Sequence, residues 1–368
     1  MVTSDPILLE RTFWVVCASF AACLLVLLTK RWHGRLSLDH DLEGVQKLHT
    51  RPVPRVGGIG LMAGLCLAGA VSYATNGNSY PATFGLLACA LPVFFAGLIE
   101  DLTKQVSVRA RLLSAFASAA LSVWLLGAYL PDTDLPGVDL LLQQFPVLAI
   151  LFTIFAVGGM THAVNIIDGL NGLAAGSVSI MLAGLGALAW MHGDVIVMKV
   201  CMWGIGGLLG FMLLNYPFGR IFLGDGGAYL AGFWVAECAV LLLSRNPQIS
   251  NWTVLLCVLY PVLETGYSMF RRRFIHKVPS GQPDMGHMHQ LLHKWINNRL
   301  HHLSLPNWLG HGVTSVKIWA IVAACQLIAL STPHYAMLHV LCVAGVVVLY
   351  TIVHRALWHE DEADSAPP

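Results

Sequence analysis

NYPFGRIFLGDGGAYLAGFWVAECAVLLLSR, residues 215–245, starts polar and Gly-rich and ends as a long apolar run. A bilayer core asks a helix for about 20 mostly apolar residues, which the second half supplies. Asp225 stands at the mouth of that run, between Gly224 and the pair Gly226-Gly227. Glu237 lies inside it, where an ionisable group is costly unless paired. At 1.5 Å per residue Glu237 is roughly 18 Å further along the helix, too deep to share a ligand with Asp225.

The same alternation of polar island and apolar run extends in both directions. Of the 368 residues 56% are hydrophobic and 11% charged, and the mean hydropathy is +0.68. These values exclude a soluble single-core domain and place the chain among all-α polytopic membrane proteins. Apolar stretches near 10–30, 57–75, 81–99, 109–129, 146–161, 174–191, 196–214, 221–243, 252–270, 314–331 and 335–353 predict about eleven spans. The first is long and is followed rather than preceded by its basic cluster, so it reads as an uncleaved span. One membrane domain is expected over 1–355, with a short disordered acidic tail over 356–368. The nine cysteines fall in or beside spans with no CxxC pair and read as packing residues.

Charge orients the spans. With the N-terminus outside, all of the 21 Lys and Arg residues except Arg11, Lys199 and Arg245 fall on or beside the inner loops. The polar islands, Glu100-Asp101, Asp168, Asp225 and the pair His287 and His289, are separated by even numbers of crossings. They are therefore expected on one face, the cytoplasmic one. Carboxylates at an aqueous membrane face with basic residues nearby suit a hydrated Mg²⁺ shared with substrate phosphates, with Mn²⁺ as the alternative. Zinc is disfavoured, since no Cys and no HExxH helix accompanies the histidines. The glycines at 57–58 and 224–227 offer phosphate access through the backbone, or close helix packing.

Five stretches carry a resemblance: KLHTRPVPRVGGIG (47–60), GLIEDLTKQVSVRARL (97–112), HAVNIIDGLNGLAAG (162–176), NYPFGRIFLGDGGAYLAGF (215–233) and PDMGHMHQLLH (283–293). In this order they resemble the polyprenyl-phosphate N-acetylhexosamine-1-phosphate transferases, the glycosyltransferase group that includes the phospho-MurNAc-pentapeptide translocase. The resemblance implies transfer of a sugar 1-phosphate from a cytosolic UDP-sugar to undecaprenyl phosphate in a bacterial inner membrane, with release of UMP. The PDMGHMHQ form resembles the O-antigen and exopolysaccharide branch more than the HHH pattern of peptidoglycan synthesis. The chain departs from the family pattern at Glu100 (usually Asp), Asn171 (often Asp), Gln290 (often His) and Met285 (commonly Arg).

The resemblance makes Asp225 the metal ligand, where a helix cap would be the plain alternative. It also makes Asp101, beside Glu100, the group that takes a proton from the lipid phosphate or positions acceptor and metal. Asn165, Asp168 and Asn171 are spaced i−3, i, i+3 and would share a helical face, one that could bind the nucleotide through Asn165 and Asn171 or support the metal shell through Asp168. By resemblance Asn215 and Phe222 contact the uridine, and His287 and His289 the pyrophosphate or sugar. The other histidines of the loop 271–313, among them His293 and His311, read mostly as surface residues. Lys47, Arg51 and Arg55 are phosphate-binding candidates, although inner-face anchoring explains any one of them. Glu264 is near enough to the inner surface to join the site or to pair with an arginine. Nothing points to nucleic acid, and oligomeric state is not legible. A transporter is the competing class, but its site would sit near the midplane between repeated halves, and no repeat is visible.

Overall fold

The computed structural model describes residues 6–39, 52–75, 80–277, 284, 286–301 and 307–365. Among them the chain is a helical bundle: α1 (Pro6–Ser37), α2 (Gly58–Thr75), α3 (Tyr80–Thr103), α4 (Val108–Leu126), α5 (Pro136–Gln144), α6 (Pro146–Ile166) and α7 (Leu173–Met191). It continues with α8 (Val195–Asn215), α9 (Gly224–Arg245), α10 (Asn251–Cys257), α11 (Leu259–Phe270), α12 (Met288–His301), α13 (Asn307–Ser331) and α14 (Ala336–Ser365). A two-residue antiparallel ribbon pairs β1 (Leu38–Asp39) with β2 (Val53–Pro54) at the foot of α1.

Nine of the described helices are long and apolar enough to cross a membrane. Of the two remaining expected spans, the one over 57–75 is α2, a shorter apolar helix. That over 252–270 is not one straight helix. It breaks into α10 and a second arm, Leu259–Ile275, at 82°. Pro261 supplies the reason: it has no N–H to give the carbonyl four residues back, and its ring crowds that carbonyl. The freed Cys257 carbonyl is taken by Gln326 Nε2 of α13 at 2.7 Å. The second arm ends in a π-helical turn, Arg271–Ile275.

The chain's end also differs from expectation. Instead of a disordered tail from 356, α14 stays helical to Ser365. Its charges are matched: Asp361 pairs with Lys294 of α12 at 2.9 Å, and Trp358 Nε1 donates to Glu362 one turn on at 2.8 Å.

The centre of the bundle is α9, whose residues from Gly224 to Leu242 are all buried against α2, α3, α4, α6, α7 and α8. Glycines allow this. A Cβ on Gly97 of α3 would stand 2.5 Å from the Gly226 amide nitrogen, and one on Gly58 of α2 would overlap the Gly227 backbone. The three helices thus touch backbone to backbone, as small residues permit inside membranes. Of the glycines that offered phosphate access, Gly58, Gly226 and Gly227 serve packing at this crossing. Deep in the bundle Glu237 is met by the Ser122 hydroxyl of α4 at 2.5 Å, which satisfies part of its buried polarity.

Candidate active site

The N-terminus of α9 arrives at this crossing with unpaired amides, as every helix start does. Asp101, on the last turn of α3, accepts from the Asp225 amide (2.8 Å) and the Gly226 amide (2.9 Å), one on each oxygen. A buried carboxylate here also complements the positive end of the helix. Gly224 makes the approach feasible: its φ is +75°, and a Cβ would lie 2.6 Å from Asp101 Oδ2. Asp101 is 3% exposed and is not among the residues that line the cavity described next. In this structure both of its oxygens cap α9.

Asp225 turns the other way. Arg55 Nη2 donates to its Oδ1 at 2.6 Å, Arg111 Nη1 to its Oδ2 at 2.7 Å, and Asn165 Nδ2 to Oδ1 at 3.2 Å. Arg111 also reaches the Tyr229 hydroxyl at 3.3 Å, and Arg55 Nε lies 3.4 Å from Asp101 Oδ1. Planar guanidinium groups suit this bridging better than point charges would. Four elements (the segment before α2, α4, α6 and α9) are thereby tied to one carboxylate.

Next to this knot is a cavity of about 400 Å³, whose lining includes Arg55, Glu100, Arg111, Asn165, Asp168, Asn171, Asn215, Phe222 and Asp225. His287, His289, Gln290 and His311 complete its polar lining. Glu100 is held by the Val106 amide at 2.7 Å, so it faces the cavity with its loop fixed. Asp168 is on the turn between α6 and α7. Burial raises its carboxyl to about 7, Arg55 works against this, and the negative Asp225 adds to it.

Two of the substrate-binding candidates also hold turns. Asn215 accepts from the Gly172 amide (2.6 Å) and donates to the Ile221 carbonyl (2.7 Å); Asn171 donates to the Pro217 carbonyl (2.8 Å). Each lines the cavity while its side chain also braces a turn. Phe222 lies on the cavity wall, its backbone bonded to Pro54 and Gly57. Lys47 and Arg51 lie outside the described residues, as do Pro283 and Met285 of the histidine motif.

The histidine pair is set from below. Glu264 of α11 accepts from His287 Nδ1 at 3.0 Å and from the Met288 amide at 3.1 Å. Glu264 thus joins the site through the histidines and not through an arginine. The rings of His287 and His289 are stacked, 5.6 Å apart and 8° from parallel. Burial holds His289 down to about 4, Glu264 only partly offsetting this, so it is neutral near pH 7. Its Nε2 faces the Asp168 turn at Gly169, where a Cβ would come within 2.8 Å.

Three residues of the cavity were not singled out by sequence reasoning. Arg111 is one of many basic residues of the expected inner face, and positive-inside anchoring would account for it equally well. His311 is brought in by α13 and packs edge-on against His293 at 4.5 Å; both are buried rather than on the surface. Gln290 was visible only as a departure from a family pattern.

No group of three or more His, Cys, Asp or Glu suited to a metal occurs among the described residues, so an all-protein cage is absent from them. Asp168 and Asp225 do face one cavity, and two carboxylates plus substrate phosphates are a usual Mg²⁺ arrangement.

The family model described as glycosyl transferase family 4 matches residues 83–243, which contain Glu100, Asp101, Arg111, Asp168 and Asp225. A probable undecaprenyl-phosphate N-acetylglucosaminyl 1-phosphate transferase of Bacillus subtilis (strain 168) is 28% identical over 77% of this chain and 78% of its own. The undecaprenyl-phosphate alpha-N-acetylglucosaminyl 1-phosphate transferase of Escherichia coli O157:H7 is 29% identical over 68% of each chain. A phospho-N-acetylmuramoyl-pentapeptide-transferase of Streptococcus mutans is 31% identical, over 55% of this chain and 59% of its own.

Proposed function

The chain belongs to glycosyl transferase family 4, and on that premise we propose that it moves a sugar 1-phosphate from a UDP-N-acetylhexosamine to undecaprenyl phosphate. UMP leaves, and the lipid-linked pyrophosphoryl sugar begins a surface polysaccharide. The observation that carries this reading is the cavity itself: carboxylates, two arginines and three histidines around one space at one end of a membrane bundle. The excess of Lys and Arg at that end supports a cytoplasmic site in a bacterial inner membrane, where the anionic donor is available.

In the reaction an oxygen of the lipid phosphate attacks the sugar-bearing phosphorus, and the bond from that phosphorus to the UMP oxygen breaks. Positioning and charge neutralisation provide most of the rate in such transfers. Arg55 and Arg111 fix Asp225 and offer positive charge to the diphosphate. Glu100, the carboxylate of the first acidic pair that faces the cavity, is the one placed to receive the acceptor's proton. His287 and His289 hydrogen-bond the diphosphate or sugar, with Glu264 fixing the ring of His287. Asp168 and Asp225 would hold Mg²⁺, which supplies charge neutralisation for the leaving phosphate.

Purified protein, undecaprenyl phosphate and Mg²⁺ with a panel of UDP-sugars, including UDP-MurNAc-pentapeptide, tests the reading by UMP release. Release with no UDP-sugar in the panel would overturn it. Asp225→Asn should lower Mg²⁺-dependent release at least about 100-fold while the protein still accumulates; unchanged turnover would remove Asp225 from the metal site.

A further inference from the structure

Crossing a bilayer takes about 20 residues, and α14 has 30. The surplus is at the site end of the bundle, where Leu357, Trp358 and Asp361 continue a stripe that Tyr350 and His354 begin on one face of the helix. What the stripe touches is the segment that carries the histidine pair. His354 Nε2–H donates to the Gly286 carbonyl at 2.7 Å, directly before His287. Trp358 lies on the guanidinium of Arg271 at 4.9 Å, and Arg271 in turn holds Asp284. Tyr350 and Leu357 are buried with Met288 and Leu291, either side of His289. Lys294 Nζ reaches both oxygens of Asp361, at 3.2 and 2.9 Å.

None of these α14 groups lines the cavity. Each instead fixes backbone or neighbours of the residues that do. Glu264 holds His287 from the α11 side, so the segment from Gly286 to Lys294 is gripped between the broken span and the last helix. A helix that served only as a membrane anchor would need neither the buried bond to Gly286 nor the charge match to α12.

We propose that the end of α14 is a brace that sets the position of His287 and His289, and that His354, Trp358 and Asp361 are positioning residues for donor binding. The inference rests on the reading of the cavity as the donor site. Loosening the brace should weaken binding of the donor's diphosphate while leaving the knot around Asp225 intact, so KM for the UDP-sugar should rise more than kcat falls.

The experiment measures UDP binding by calorimetry, which needs no turnover, beside UMP release from UDP-N-acetylglucosamine. Asp361→Lys, which sets two ammonium groups together, should raise Kd and KM about three- to tenfold. The exchange Lys294→Asp with Asp361→Lys should return both to within about twofold of the parent. His354→Ala should weaken binding and His354→Gln, which keeps a donor, should recover part of it. Glu360→Gln should change nothing, because its pair with Arg299 is 3.9 Å long and more than half exposed. If Asp361→Lys does not accumulate, Asp361→Asn carries the same expectation with a smaller rise. Parent protein that neither binds UDP nor releases UMP would overturn the donor-site reading. Parent protein that does both, with Asp361→Lys unchanged or the exchange giving no recovery, would overturn the brace alone.

Discussion

Neighbouring carboxylates at 100 and 101 have opposite assignments because adjacent positions on a helix point in different directions. Asp101 turns inward to two amides of α9, and Glu100 turns to the cavity. Asp101→Asn leaves one oxygen and sets an NH₂ against an amide donor, which should cost about 1–3 kcal/mol. Its unfolding temperature in detergent should fall together with activity. Glu100→Gln keeps the acceptor for the Val106 amide, so it should lose activity with stability unchanged. A Glu100→Gln protein with full UMP release would return the acceptor role to another group. Sequence reasoning could find both carboxylates, since charge is conspicuous in an apolar chain. Which of them faces the reactants depends on where α9 crosses α3, and no spacing within residues 97–112 encodes that crossing.

Among the elements, the π-helical turn and the start of the histidine motif are joined by one buried ion pair. Burial alone would raise the Asp284 carboxyl, but the Arg271 guanidinium, the Gly286 amide and the Ser268 hydroxyl outweigh it and hold it at about 2. A carboxyl lowered on folding stabilises fully above its ordinary value of 3.8, and that stabilisation is lost as pH falls towards 2. The contribution is on the order of 2 kcal/mol. The gap in unfolding temperature between the parent and Asp284→Asn should hold from pH 8 to 5 and close below pH 4; an equal gap at pH 3 would assign it to packing. At this scale the apolar runs revealed most spans but not the break after Cys257. Pro261 is a visible signal there, yet a kinked continuous helix and an 82° break begin from the same residue. The helical end of α14 was hidden for another reason: its acidic residues read as a solvated tail until α12 supplies Lys294.

In the whole molecule, parity of crossings was enough to predict that the islands meet. Arg55, Glu100, Asp168, Asp225, His287 and His289 do line one cavity. Arg111 and His311 entered unannounced, because a basic residue at an inner loop and a histidine at a helix start each have an ordinary explanation. Three-dimensional convergence alone separates them from their neighbours. The pair between Ser122 and Glu237 has a further consequence, for biogenesis. Helices leave the translocon in chain order, so α4 is already in the bilayer when α9 emerges with a carboxylic acid at mid-depth and no lipid-facing side of its own. Ser122 is then a waiting partner, and α9 partitions into protein rather than into lipid. Ser122→Leu should accordingly reduce the amount of full-length protein recovered in membranes, measured against Ser122→Thr, which retains the hydroxyl. Equal recovery of the two would mean that α9 enters the bilayer without this contact.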